Sequence, residues 1–340
     1  MERKNMYDSI ERFLASEKEP EKYDFSNDGA CNSYINISEK EIYKKFFTYM
    51  CTSSRFEKEE KYPLFKSGKN HSLAQLNVHG KVMDPDSESP LLQKIYCRLW
   101  GISDSLGPCI SLQGETLNSV NTTLNVAYKP IEPEKQYNER EKMITKCGGK
   151  QDISIKYLLC RYFESPDEMT ELLSKINGLD KFLSIYHTLG NFMPVPSGCN
   201  GPRGKGKLKD YWDLTLWRIY EYYTLVDEGD RISEIIGEKK SLTYKKWLRT
   251  FVNKNCSDAK SEGISGWKNF IEQNFLRAYV KIDEKGVPIP TELWEGHLDR
   301  DENNNFIHIL PEGRTQCEQY FINAYKRIID RGKDMVKVLK

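Results

Sequence analysis

Residues 208 to 225 read Leu-Lys-Asp-Tyr-Trp-Asp-Leu-Thr-Leu-Trp-Arg-Ile-Tyr-Glu-Tyr-Tyr-Thr-Leu, and they limit the fold more than any other stretch. Tyr211, Leu214, Leu216, Trp217, Ile219 and Tyr220 would make a helix that is apolar nearly all round. Such a helix is stable only with most of its surface inside a core. Just upstream, Tyr186 to Gly204 carries His187, Asn191, Asn200, Arg203, four glycines and three prolines. A loop this dense in turn residues is either a linker or a tightly built site. Phe182, Leu183, Ile185 and Tyr186 lead into it, and Tyr211 to Trp217 lead out of it. Apolar flanks pin both ends, so the sequence points to a site.

Further helices follow from apolar periodicity and start signals. Residues 4–18 place Met6, Ile10, Phe13 and Leu14 on one side. Ser38-Glu-Lys-Glu41 reads as a capping box opening a helix through Ile42, Phe46, Phe47 and Met50. Pro90 sits at the first turn of a helix ending at Trp100. Glu115 to Val126 has Leu117, Val120 and Leu124 at helical spacing, yet its other side is Glu115, Asn118, Ser119, Asn121 and Thr122. A helix so rich in Asn, Ser and Thr needs compensation from a polar network or a bound ligand. Asp152 to Tyr162, Ser165 to Leu183 and three segments within 229–276 read as helices, as does the stretch from about Cys317 to the end. Tyr279 to Asp283 and Phe306 to Leu310 alternate, which predicts a hairpin around the turn Arg300 to Asn305.

The expected fold is therefore α+β and predominantly α-helical, a helical core with a small C-terminal β-hairpin. Residues 1–340 are expected to form one unit: a motif-bearing core over 80–225, a mobile insertion or lid over 129–150, and a helical and hairpin part over 226–340. The site residues should converge on one polar pocket beside the 208–225 helix.

Lys and Arg number 51 and Asp and Glu 50, a net charge of +1, so no global field pulls the chain toward nucleic acid or a membrane. No apolar run approaches a membrane span, and the N-terminus lacks a signal-peptide core. Nine scattered cysteines without a C-x-x-C pair suit reduced thiols in the cytoplasm, the expected location.

Three runs resemble an uncharacterised, DUF6994-like family of bacterial proteins. They are Asp84-Pro-Asp86-x-x-Ser-Pro90 ending at Trp100, Gly114-Glu-Thr-Leu-Asn-Ser119, and His187-Thr-Leu-Gly-Asn-Phe192 with Asn200-x-x-Arg-Gly204 and Asp210-Tyr-Trp-Asp-Leu214. The resemblance covers about 80–225. Glu115 replaces the family's aspartate and Cys199 its phenylalanine. No activity comes with it, only candidate residues. A weaker similarity links His187-Thr-Leu-Gly-Asn191 to the HNH-like nuclease domain of GmrSD-type restriction enzymes. That domain needs an acidic-His-Ile-x-Pro element upstream, whereas the nearest match here, Ile307-His-Ile-Leu-Pro311, lies downstream and lacks the acid.

These residues suit a hydrolase or transferase acting on a phosphorylated substrate, nucleic acid or nucleotide; the nuclease-like character and a tie to bacterial defence are what the resemblances imply. His187 would move protons near neutral pH. Arg203 would clamp phosphate with its planar fork. Glu115 and Asp213 complete the catalytic set. Asn118, Ser119, Asn191, Asn200 and Gly204 would contact substrate. Asp84, Asp86 and Asp210 would hold Mg²⁺ or Mn²⁺, which take few carboxylates plus water. Each residue also has a structural role open to it: a backbone-bonded histidine, an Arg203 pair with Asp210 or Asp213, turn-making asparagines, aspartates that cap helices. The competing readings are a nucleotide- or protein-binding regulator without turnover, and a toxin that acts only with a partner protein.

Overall fold

A computed structural model describes residues 7–28, 38–52, 85–101, 112–131, 138, 158, 161–162, 165–196, 211–225, 232, 238–252 and 258–340. It is mainly helical with two small antiparallel sheets, as expected for the class.

Helix α1 (Ile10–Ser16) starts later than its periodicity suggests, because the Ser9 hydroxyl accepts the Arg12 N–H and fixes the start. The Ser38–Glu41 capping box is present, on a 3-10 turn feeding α2 (Ile42–Thr52). A single turn, α3 (Pro85–Glu88), precedes α4 (Pro90–Trp100). Ser89 caps α4, and Gly101 closes it in the left-handed region at φ 62°. Asp28, fully buried, braces that start by accepting from Ser89 Oγ (2.6 Å) and Leu91 N (3.0 Å).

A short extended piece ending at Gly114 is consistent with the next segment, but the helix expected from Glu115 is not. Leu112–Thr116 is a strand, β1, and the helix α5 begins only at Asn121 and ends at Tyr128. Glu115 therefore lies in a strand, and Asn118 and Ser119 lie in the connecting turn. Pairing decides this: β1 runs antiparallel to β2 (Phe192–Pro196), with Glu115 opposite Met193 and Thr116 opposite Phe192. Part of the turn-rich loop is thus a buried strand, and the sheet tolerates Pro194 and Pro196 because, among the described residues, each strand has a side without a ladder partner. Between these strands come α6 (Pro166–Ser174) and α7 (Leu179–Ser184). The 129–150 insertion falls almost wholly outside the described residues.

Helix α8 (Trp212–Thr224) is the core helix expected from its pattern, with Trp212, Leu214, Leu216 and Ile219 all buried. It packs on α10 (Ala259–Gln273), which follows α9 (Glu238–Arg249). At Gly263 a Cβ would lie 1.9 Å from the Tyr223 carbonyl oxygen, so only glycine permits this approach. The C-terminal hairpin exists with a different second strand. β3 (Val280–Ile282) pairs with β4 (Pro288–Pro290) around a turn in which Asp283 Oδ1 accepts the Lys285 and Val287 N–H groups. Phe306 makes only an isolated bridge to Arg300. The local turn at 283–287 closes a much shorter loop than the expected one and so costs less entropy.

Helix α11 (Arg314–Leu339) runs past both hydrophobic clusters. Tyr320, Phe321, Ala324 and Ile328 enter the larger one, and Met335, Val336 and Leu339 meet α1 and α4 in the smaller. Each large side chain so buried contributes roughly 1.5–3 kcal/mol.

Candidate functional site

The His187 turn is docked on α11 at its backbone. A Cβ on Gly190 would lie 1.8 Å from the Ile328 carbonyl oxygen and 2.9 Å from Gly332 N. Arg331, fully buried, donates from Nη1 to the Gly190 and Phe192 carbonyls (2.8 and 2.7 Å) and from Nε to the Asn274 carbonyl (3.1 Å). Burial pushes its guanidinium down to about 10. Asn191 completes the clamp. Its Oδ1 accepts from Asn118 N (2.9 Å) and Nδ2 (3.1 Å), and its Nδ2 donates to the Tyr186 carbonyl (2.9 Å). Asn118 Nδ2 also donates to the Tyr279 hydroxyl (2.8 Å). Both asparagines are fully buried, so of the roles open to them the network is the one the geometry displays. The Ser119 carbonyl accepts from the Tyr320 hydroxyl.

His187 itself edges a small hollow lined by Asp24, Ser26, Lys45, Phe46, Tyr49 and Tyr186, among others, with a volume of about 10 Å³. That is room for about one water molecule. Nδ1 of His187 lies 4.0 Å from Asp24 Oδ1, beyond hydrogen-bond length. Asp24 is held elsewhere: Oδ2 accepts from Lys45 Nζ (2.5 Å), and Oδ1 from Ser26 N (2.9 Å) and Ser26 Oγ (2.5 Å). Burial raises the Asp24 carboxyl, but Lys45 and His187 together with these hydrogen bonds outweigh it and hold the group below its usual value. Side-chain exposures of 8% for His187, 18% for Asp24 and 13% for Lys45 leave the group in touch with solvent. Tyr49 and Tyr186 pack edge-on against the imidazole, at 4.2 and 4.9 Å between ring centres.

Asp86 and Glu115 lie close by in the fold but on opposite faces of β1. Asp86 Oδ2 accepts from Thr116 Oγ1 (3.4 Å), and its carbonyl sits where a Gly114 Cβ would be. Gly114 and Thr116 share one face of the strand, so alternation turns Glu115 to the other. Asp84, Asn200, Arg203, Gly204 and Asp210 lie outside the described residues. Among those described, no group of three or more His, Cys, Asp or Glu could hold a metal ion.

Asp213 departs from the single-pocket expectation. Its Oδ2 accepts from Leu293 N (2.8 Å) and pairs with His297 Nδ1 at 2.6 Å, with both side chains fully buried. A carboxylate only accepts, so Nδ1 carries the proton. Trp294 stacks on the imidazole at 3.3 Å between ring centres. Nε2 of His297 has no hydrogen-bond partner among the described residues. The rings of Tyr211, Tyr320, Phe182 and Tyr186 stand in sequence between His297 and His187. The hollow is therefore not beside α8 but between α2, the Asp24–Ser26 turn and the His187 turn.

Sequence reasoning missed Asp24, Lys45 and His297. Asp24 sits in a polar run without period, Lys45 reads as an ordinary helix-surface lysine, and His297 follows Trp294-Glu-Gly with no repeating pattern. His308, from the nuclease-like comparison, is about a third exposed and pairs with Glu312 at 3.0 Å.

Comparison with family models, curated proteins and solved structures finds no match. The resemblance to the DUF6994-like family rests on the motifs quoted above. No helix of the described residues is long and apolar enough to cross a membrane.

Proposed function

We propose that the chain is a hydrolase or transferase acting on a phosphorylated substrate, nucleic acid or nucleotide, with His187 as the group that moves the proton. The observation that supports this most is the His187 hollow: an imidazole on the wall of a small hollow, a carboxylate held below its usual pKa 4.0 Å from Nδ1, and an ammonium on that carboxylate. Hydrogen bonds of catalytic pairs are often long before substrate binds. Lys45 supplies a cation for a phosphoryl oxygen, and Asp24 orients the imidazole. Arg331 and Asn191 hold the turn rather than touch substrate. A cation of the Mg²⁺ or Mn²⁺ class stays within the proposal, with Asp86 as a described carboxylate able to contribute to its binding.

The volume of the hollow supports a second reading, a nucleotide- or protein-binding regulator that recognises one small anionic group without turnover. Incubation of the protein with Mg²⁺ or Mn²⁺ and a panel of DNA, RNA, nucleotides and phosphomonoesters separates the two. Turnover that His187→Ala abolishes supports the enzyme. Tight binding without turnover on every member moves the assignment to the regulator.

A further inference from the structure

Helix α9 breaks the charge pattern of the other surface helices. Elsewhere basic residues stand about one turn from acidic ones and pair with them: Arg12 with Asp8, Lys44 with Glu41, Lys175 with Glu171 and Arg314 with Glu318. Within α9 the acidic residues stop at Glu238. Residues 239–257 contain six Lys or Arg and no Asp or Glu, in a chain whose totals balance at 51 and 50. Tyr244, Trp247 and Leu248 turn into the core. The opposite face presents Leu242, 62% exposed, together with Thr243, Lys246 and Arg249, also exposed. Leu242, Lys246 and Arg249 recur at i, i+4 and i+7, which makes them one stripe. Among the described residues no ion pair includes Lys246 or Arg249. Like charges one turn apart repel, so the stripe costs the helix stability and does nothing for its packing.

The stripe complements an anion, and its chemistry selects among anionic partners. A helix lying in a membrane surface buries its apolar face in the bilayer, and that of α9 is already in the core. A polynucleotide backbone fits better. The Arg249 fork matches phosphate geometry, and the Thr243 hydroxyl can donate to a phosphate oxygen. From Leu242 to Arg249 the helix rises about 10 Å, which faces about three phosphates of one strand. Leu242 stands among these groups, where it can cover a sugar. α9 also packs on β2, the strand that follows the His187 turn. The hollow at His187 admits one group of about the size of a water molecule, so most of a larger substrate must rest on surface outside it.

We propose that the Leu242, Lys246 and Arg249 face of α9 docks the sugar–phosphate backbone of a polynucleotide. This narrows the phosphorylated substrate of the preceding section to a polymer and rests on that reading, while the docking itself is read without turnover. The test is fluorescence anisotropy of the full chain with short labelled DNA and RNA, single- and double-stranded, over a series of salt concentrations. Binding should weaken as salt rises. Lys246→Gln with Arg249→Gln should weaken it about tenfold and lower the salt slope by about two. Lys285→Gln with Lys333→Gln removes the same charge from exposed positions on the β3–β4 turn and α11, and should leave both nearly unchanged. An equal loss in this control would mean diffuse attraction and would overturn the proposal, as would the absence of binding to every polynucleotide at low salt. Vesicles containing anionic lipid and polyglutamate are run beside the nucleic acids. If the α9 double variant loses either of these and keeps nucleic acid, the face belongs to a membrane or an acidic protein and the proposal falls. Nucleic-acid binding that depends on α9 without turnover in the unmodified chain would overturn the enzyme reading and leave the docking face standing.

Discussion

Two histidine–aspartate pairs stand in this molecule, and they are built in opposite ways. His297 and Asp213 are fully buried, 2.6 Å apart, and backed by a tryptophan face. His187 and Asp24 keep contact with solvent, stand 4.0 Å apart, and share their space with a lysine. The first geometry leaves nothing for a substrate to change. The second places a carboxylate, a lysine ammonium and an imidazole around a small hollow. Proximity of histidine to aspartate is therefore no guide to function by itself; exposure, the neighbouring lysine and the hollow distinguish the two.

The contrast breaks most readily at the buried pair. Asp213→Ala strands the His297 Nδ1–H and the Leu293 N–H in the core, and a chemical-denaturation series should show a loss of about 3–5 kcal/mol. A loss below 1 kcal/mol would mean that Asp213 is not part of the scaffold. Arg331→Met comes next. It removes three carbonyl partners but also a buried charge that burial already disfavours, so the net loss should be about 2–3 kcal/mol, measured the same way. Because the lost bonds include those to Gly190 and Phe192, the His187 resonances should move as well. Asn191→Ala should cost roughly 2 kcal/mol by unpairing Asn118 N and the Tyr186 carbonyl.

The smallest effect is electrostatic and sharpens the comparison at the hollow. Asp24 has a folded-state pKa below its unfolded value of 3.8, so its contribution to stability is complete above that value and is lost as pH falls through the folded pKa. Acid unfolding curves of the unmodified chain and Asp24→Asn should therefore keep a constant offset above about pH 4 and draw together as pH falls below it, meeting once it is below the folded pKa. Parallel curves throughout would contradict an ionised, paired Asp24.

Local chemistry made much of this legible in the sequence. The capping box at Ser38, Pro90 at the first turn of α4, the apolar girth of α8 and the period of α11 each state an element through residues close in the chain. The β1–β2 pairing was not legible, because its strands are five residues long and joined by most of the region between 116 and 192. That one long-range ladder turned an expected helix into a strand and a turn, and it moved Glu115 and Asn118 with it. The site was half legible for the same reason. The turn around His187 announces itself through its glycines and prolines, but its carboxylate and its cation come from the N-terminal third, where nothing local marks them. Of the residues expected to share one pocket, Asp213 went to a different place because its partner lies 84 positions away.

The comparison of the two pairs is tested most directly by thermal and denaturant melts of His187→Gln and His297→Gln side by side. The account predicts a loss of about 3 kcal/mol or more for His297→Gln, which leaves Asp213 without its partner in the core. For His187→Gln it predicts about 1 kcal/mol or less, since the turn is held by its backbone, Asn191 and Arg331 rather than by the imidazole. Equal losses, or a larger one at His187, would make His187 a structural histidine and contradict the account.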